Sequence, residues 1–211
     1  MDEVTEKAIK EVVDRYDPHT VIVYGSRARG DATNESDVDM ACFLDAPSVT
    51  EDFRNFDGIF LDAWIYPTKS MKNTDDFVQM GKAFCAVDKF GYGELLLQKI
   101  EDRIEAGPIP LTNKQKRNII ELRIKNLKRI SNNDVEGNHR RAYLQYTLLE
   151  TYFILRDKWF FGAKSSLSWL QENDQVAFAL FEKVYQAPQD YDALKKLTLY
   201  TTNIEYAHSK M

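Results

Sequence analysis

At 211 residues, the chain is long enough for one ordinary domain with a smaller partner, or for two small domains. Hydrophobic residues make up 44 % of it and charged residues 29 %, a balance that excludes an intrinsically disordered or collagen-like chain. The formal net charge of -5 provides no global attraction to nucleic acid, which argues against long RNA or DNA and leaves room only for a local basic patch.

The opening Met1-Asp2-Glu3 is acidic where a secretory or transit peptide is basic, and no run approaches the roughly 18 apolar residues of a membrane span. A cytoplasmic location and no membrane partner are therefore expected. Val4, Ala8, Ile9, Val12 and Val13 recur at three- to four-residue spacing, which predicts a helix over 4–16 that Asp17-Pro18-His19 ends. Thr20 to Tyr24 reads as a buried strand. Asp37 to Leu44 and Ile59 to Tyr66 read as two more, the last stopped by Pro67, with room between them for a short helix or loop. A short helix is expected over 75–80, a strand over 82–88, and partial helical character over 94–105. Cys42 and Cys85 fall inside strand-like runs without metal or disulfide spacing, so both read as buried free thiols.

Gly107-Pro108-Ile109-Pro110 cannot lie inside a regular element and marks the expected boundary between a domain at 1–107 and one at 108–211. Beyond it the periodicity is helical. Thr112 is placed to cap a helix that runs to about Ile130, and 139–157 is apolar almost all round, as expected of a helix central in a bundle. Further helices are expected over 164–172, 175–185 and 190–208. His19, His139 and His208 are too scattered for a metal site or a triad, and solvent or helix-end roles account for them.

The chemistry concentrates in Gly25-Ser26-Arg27-Ala28-Arg29-Gly30 and Ser36-Asp37-Val38-Asp39. Residues two apart on a strand share a face, so the Asp37 and Asp39 carboxylates repel unless solvent or a divalent cation lies between them. Gly25 and Ser26 follow directly on a buried strand, where glycine permits a tight turn and the following amides and hydroxyl can meet an anion. The pattern is neither a P-loop nor a dinucleotide-binding glycine motif. Asp62 lies in the apolar run Ile59 to Trp64, where an unpaired acid costs of order 2 kcal/mol or more. If its strand neighbours that of Asp37 and Asp39, the three form one cluster suited to metal-assisted phosphoryl or nucleotidyl transfer.

Gly25, Ser26, Asp37, Asp39 and Asp62 together resemble the signature of the DNA polymerase beta-type nucleotidyltransferase superfamily, and the 27–30 insert with Ser36 resembles its small bacterial members. The resemblance implies an α+β fold, a mixed sheet with flanking helices followed by a C-terminal helical bundle. It implies two Mg2+ ions on Asp37 and Asp39, Gly25 and Ser26 against the β- and γ-phosphates of ATP or another nucleoside triphosphate, and Asp62 sharing the metal nearer the acceptor. Arg27 is a further candidate phosphate contact because an arginine fork suits such oxygens.

The stretch 152–167 resembles the helical domain of two-domain, aminoglycoside-type small-molecule nucleotidyltransferases. That implies AMP transfer to a hydroxyl of a small molecule, with Glu150 as a candidate acceptor base. By position alone, Lys164, in a loop after Gly162, is a candidate contact to triphosphate or acceptor, and Asp88 and Glu94, near the end of the first domain, are rival acids. Nucleotidylation of a protein or RNA, as in toxin–antitoxin systems, and a non-catalytic nucleotide-binding regulator stay open beside it. So does a homodimer that completes the site.

Overall fold

A computed structural model describes residues 1–132 and 134–202. The chain divides into two units, Met1–Ala106 and Gly107–Met211.

The first unit opens with helix α1 (Glu3–Tyr16), capped by the Asp2 carboxylate, which accepts the Thr5 amide at 2.8 Å. Its apolar stripe, including Ala8 and Val12, leads into strand β1 (Thr20–Tyr24), and Gly25 then starts a five-residue helix α2 (Gly25–Arg29). Strands β2 (Val38–Leu44), β3 (Glu51–Phe56), β4 (Ile59–Pro67) and β5 (Phe84–Asp88) complete a five-stranded sheet of order β3-β4-β2-β1-β5. Among the described residues only β2 and β4 pair in parallel; the other pairings are antiparallel. The sheet is thus mixed, and helices flank it as expected.

Alternation along the strands divides the core into two layers. Val21, Val23, Val38, Met40, Cys42, Leu61, Ala63 and Ile65 pack with α1 on one face. Ile22, Ala41 and Phe43 pack on the other with Phe77 and Met80 of a 3₁₀ segment (Thr74–Met80) and with Leu96 and Ile100 of α3 (Tyr92–Glu105). Helix α3 approaches closely because Gly93 lacks a side chain: a Cβ there would fall 2.3 Å from Cys85 Sγ and 2.8 Å from Thr20 Cγ2. Burial pushes the Cys42 thiol up to about 12, so it stays protonated and unreactive at neutral pH.

Two readings of the sequence are corrected here. The segment between β2 and β4 holds a strand, β3, joined to β4 by the two-residue turn Asp57-Gly58, both at positive φ. That turn matches the right-handed twist of a hairpin and sets the register Phe56↔Ile59. His19 is buried rather than at a solvent-facing helix end: its ring nitrogens lie 2.8 Å from Thr20 Oγ1 and 2.8 Å from Thr68 Oγ1, with the rings of Phe90 and Tyr92 beside it.

The second unit is helical: α4 (Asn113–Ile130), α5 (Val135–Leu155), α6 (Gly162–Asn173), α7 (Gln175–Gln186) and α8 (Tyr191–Thr202). Thr112 and Gln115 form a reciprocal capping box at the start of α4, worth about 1 kcal/mol. Helix α5 supplies Leu144, Leu148, Leu149, Tyr152 and Phe153 to one core with Leu170, Phe181, Leu194 and Leu197. Asp174 ties three helices together. Its carboxylate accepts the Tyr152 hydroxyl at 2.6 Å, the Tyr200 hydroxyl at 3.0 Å and the Ala177 amide at 3.0 Å. Of the helix expected over 190–208, residues beyond 202, His208 among them, lie outside the described residues.

Candidate active site

The parallel pairing of β2 with β4 sets Asp39 in register with Asp62. Neighbouring strands run about 4.8 Å apart and their side chains alternate in step, so the two carboxylates rise side by side from one face of the sheet. On the other flank of β2, Asp39 faces Tyr24, the last residue of β1. Asp37 stands one residue before β2 and is exposed.

Gly25 has no substitute at this point. Its φ is +72°, and a Cβ there would lie 2.0 Å from Asp39 Oδ2 and 2.8 Å from Asp39 Cγ. The turn from β1 into α2 therefore brings bare backbone against the Asp39 carboxylate. Ser26 follows in the first turn of α2, where backbone amides have no partner within the helix. Amides, hydroxyl and carboxylates are gathered at one end of the sheet.

The electrostatics register the crowding of negative charge. Burial, then the charges of Asp62 and Asp37, push the Asp39 carboxyl up to about 6. Burial, then Asp37 and Glu51, also raise the Asp62 carboxyl, and burial with Asp39 and Asp62 raises the Tyr24 phenol. Asp62 Oδ1 is buried and has no hydrogen-bond partner among the described residues. A carboxylate pair with an orphaned oxygen, held against an open glycine backbone, fits the oxygen-donor chemistry of a divalent cation.

The three-carboxylate cluster expected from the sequence is not preassembled, however. Among the described residues no three His, Cys, Asp or Glu side chains converge as a ready set of metal ligands. Asp39 and Asp62 are brought together by the sheet, whereas Asp37 lies outside the paired strand.

Arg27 is placed differently from a phosphate-gripping side chain. Its side chain is 6 % exposed, and its guanidinium donates to the backbone carbonyls of Ser36 at 2.6 Å and Asp37 at 3.0 Å and to the Asp2 carboxylate at 3.1 Å. Arg29 pairs with Asp31 at 3.4 Å. Asp88 caps α3: although burial raises its carboxyl, the amides of Glu94 and Gly93 outweigh that and hold it below the usual range. Lys164 stands in the first turn of α6, which begins at Gly162, rather than in a loop, and Glu150 is exposed on α5. Both belong to the helical unit.

The sheet face beyond Asp62 carries groups that the sequence analysis does not single out. Phe53 on β3 pairs in register with Asp62, and Glu51 pairs with Trp64. The rings of Phe53 and Trp64 meet edge to face at 5.0 Å, and both are more than a third exposed. Tyr66 stacks on Trp64 at 6.4 Å. The available signal was Asp57-Gly58, which predicts a hairpin and so brings Glu51 and Phe53 onto the face of Asp62.

Residues 5–126, which include Gly25, Asp37, Asp39 and Asp62, match a family model described as a nucleotidyltransferase domain. No curated protein matches the chain. Among solved structures, a nucleotidyltransferase-like protein from Exiguobacterium sibiricum is similar over 95 % of this chain and 72 % of its own, at 11 % identity and a TM-score of 0.41.

Proposed function

Because the chain belongs to the nucleotidyltransferase domain family, we propose that it transfers a nucleoside monophosphate, AMP from ATP, to a hydroxyl of a small molecule and releases pyrophosphate. The observation that carries this reading is the Asp39–Asp62 pair, in register on parallel strands and closed on one side by the bare Gly25 backbone. Two Mg2+ ions bound by Asp37, Asp39 and Asp62 would neutralise the triphosphate and polarise the phosphorus under attack.

The chain's own groups divide the remaining work. The amides after Gly25 and the Ser26 hydroxyl donate to the non-reacting phosphates and hold the α-phosphorus for an in-line approach. Asp62, in register with Asp39 and beside the exposed face of β3 and β4, accepts the proton of the attacking hydroxyl. Phe53 and Trp64, beside Asp62, offer an apolar platform for the acceptor, and Glu51 adds negative charge at its rim. A platform of this size suits a ring with hydroxyl groups, and Glu51 suits an acceptor that also carries a cationic group, as an aminoglycoside-like compound does.

The test is transfer of label from α-labelled ATP with Mg2+ across a panel of hydroxylated amines, neutral sugars, RNA and protein. An Asp37→Ala, Asp39→Ala double variant runs beside it. Label on a small hydroxylated compound that disappears in the double variant supports the proposal. Label on RNA or protein alone replaces the small-molecule acceptor, and metal-dependent ATP binding without transfer to any acceptor makes the chain a nucleotide-binding regulator.

A further inference from the structure

Asp37 is the one site carboxylate that the sheet does not hold. The β2–β4 register begins at Val38↔Leu61, so the residue before it lacks the ladder that fixes Asp39 and Asp62. Its backbone is held from α2 instead. Arg27 Nη2 donates to the Ser36 carbonyl at 2.6 Å and Nε to the Asp37 carbonyl at 3.0 Å. Those two carbonyls belong to the peptide groups on either side of the Asp37 Cα, so one planar guanidinium fixes both peptide planes that aim its side chain.

The guanidinium is itself held from behind. Arg27 Nη1 lies 3.1 Å from Asp2 Oδ1 and 3.1 Å from Asp2 Oδ2, while Asp2 Oδ1 also accepts from the Thr5 amide at 2.8 Å and the Thr5 hydroxyl at 2.9 Å. A chain of contacts thus runs from the first turn of α1, through Asp2 and Arg27, to the entry of β2.

We infer that Arg27 is a positioning residue, anchored by Asp2, that aims the Asp37 carboxylate at the cation shared with Asp39 and Asp62. The inference rests on the proposed metal-dependent transfer. It assigns Arg27 to the metal side of the site and not to the triphosphate, because a side chain 6 % exposed, with its guanidinium engaged by two carbonyls and a carboxylate, is not presented to a ligand.

Mn2+ binding, followed by electron paramagnetic resonance with a non-transferable α,β-methylene ATP analogue, tests this without recourse to turnover. Arg27→Ala is expected to weaken Mn2+ binding about tenfold, the usual effect of losing a group that orients a ligand, with analogue affinity at saturating Mn2+ unchanged. Arg27→Lys keeps the charge without the fork and is expected to behave like Arg27→Ala. Asp2→Asn, which retains a capping oxygen, is expected to weaken Mn2+ binding in the same direction and to add nothing to Arg27→Ala. It also keeps the inference testable if Arg27→Ala does not fold. Wild-type Mn2+ affinity in these variants overturns the positioning role alone. So does loss of analogue affinity at saturating Mn2+, which would make Arg27 a phosphate contact. If the wild type binds no Mn2+, the transfer reading falls and the inference with it.

Discussion

Gly25→Ala adds one methyl group where there is no room for it. The new Cβ would sit 2.0 Å from Asp39 Oδ2, 2.8 Å from Cγ and 3.3 Å from Cβ, so rotating the carboxyl alone does not relieve the clash. The carboxylate must retreat by about 1 Å, and a misplacement of that size costs on the order of 100-fold in rate. At φ +72° the alanine also incurs a left-handed backbone penalty of about 1–2 kcal/mol, a small part of the ~5–15 kcal/mol that stabilises a typical domain. The variant is therefore expected to fold and to lose turnover. Gly30→Ala is the matched control, because its φ is +85° but a Cβ there would meet nothing within 4 Å. Gly25→Ala should lose at least as much stability as Gly30→Ala in urea unfolding, and only Gly25→Ala should lose more than roughly threefold in transfer of α-labelled nucleotide. Equal activity in the two would refute the argument that the bare Gly25 backbone positions Asp39.

The pH dependence of Asp39 provides a second check. Burial, then Asp62 and Asp37, push its carboxyl up to about 6, so the folded protein binds that proton more tightly than the unfolded chain does. In metal-free buffer this contribution to stability falls as pH rises from about 4 to 6, then levels off. Asp39→Asn cannot ionise; its melting temperature should exceed that of the wild type in EDTA above about pH 7, with the gap closing near pH 4, and a variant that melts lower at neutral pH contradicts the repulsion. Phe53→Ala and Trp64→Ala should each raise the acceptor KM about tenfold, equivalent to ~1.4 kcal/mol, and leave the triphosphate KM unchanged. A rise in the triphosphate KM instead would make the platform a nucleobase site. Asp174→Ala removes the cap of α7 and the partner of two tyrosine hydroxyls, and should lower the unfolding free energy by about 2–3 kcal/mol. Calorimetry showing a loss below about 0.5 kcal/mol would refute that accounting. Glu150→Gln alters an exposed side chain on α5 and should lower turnover less than about threefold, as the proposal of Asp62 as base requires; a loss near 100-fold with normal triphosphate binding would assign the base to Glu150.

The site was legible where residue identity has few alternatives. Glycine after a buried strand and acids inside apolar runs each violate a local preference, and such violations collect at functional sites. The sheet's strands β1, β2, β4 and β5 were visible because their runs are largely apolar. Strand β3 was hidden because Glu51-Asp52-Phe53-Arg54-Asn55-Phe56 is an edge strand whose polar residues face water or the charged flank of α1. Its presence was recorded only in the Asp57-Gly58 turn. The contacts of Arg27 were not legible at all: no spacing rule connects Asp2, Arg27 and Ser36, which meet only once α1, α2 and β2 are folded. His19 was misread for a similar reason, since its partner Thr68 lies 49 residues away in sequence.

The hairpin that hides in the sequence also separates what must stay from what is free to vary. On β3, Asp52 and Arg54 point towards α1, where Arg54 bonds Asp52 at 2.8 Å and Glu11 at 2.8 Å. Those contacts and the Asp57-Gly58 turn lock the strand in place. The alternate positions, Glu51 and Phe53, point to the face of Asp62 and bear no part of that lock. The strand is thus a two-sided insert: one edge is bolted to the scaffold, the other is a replaceable facing beside the reacting groups. Under the proposed function, exchange of residue 53 would retune which acceptor is received without moving Asp39, Asp62 or Gly25, whereas exchange of residue 51 would also release the Asp62 carboxyl from the charge of Glu51.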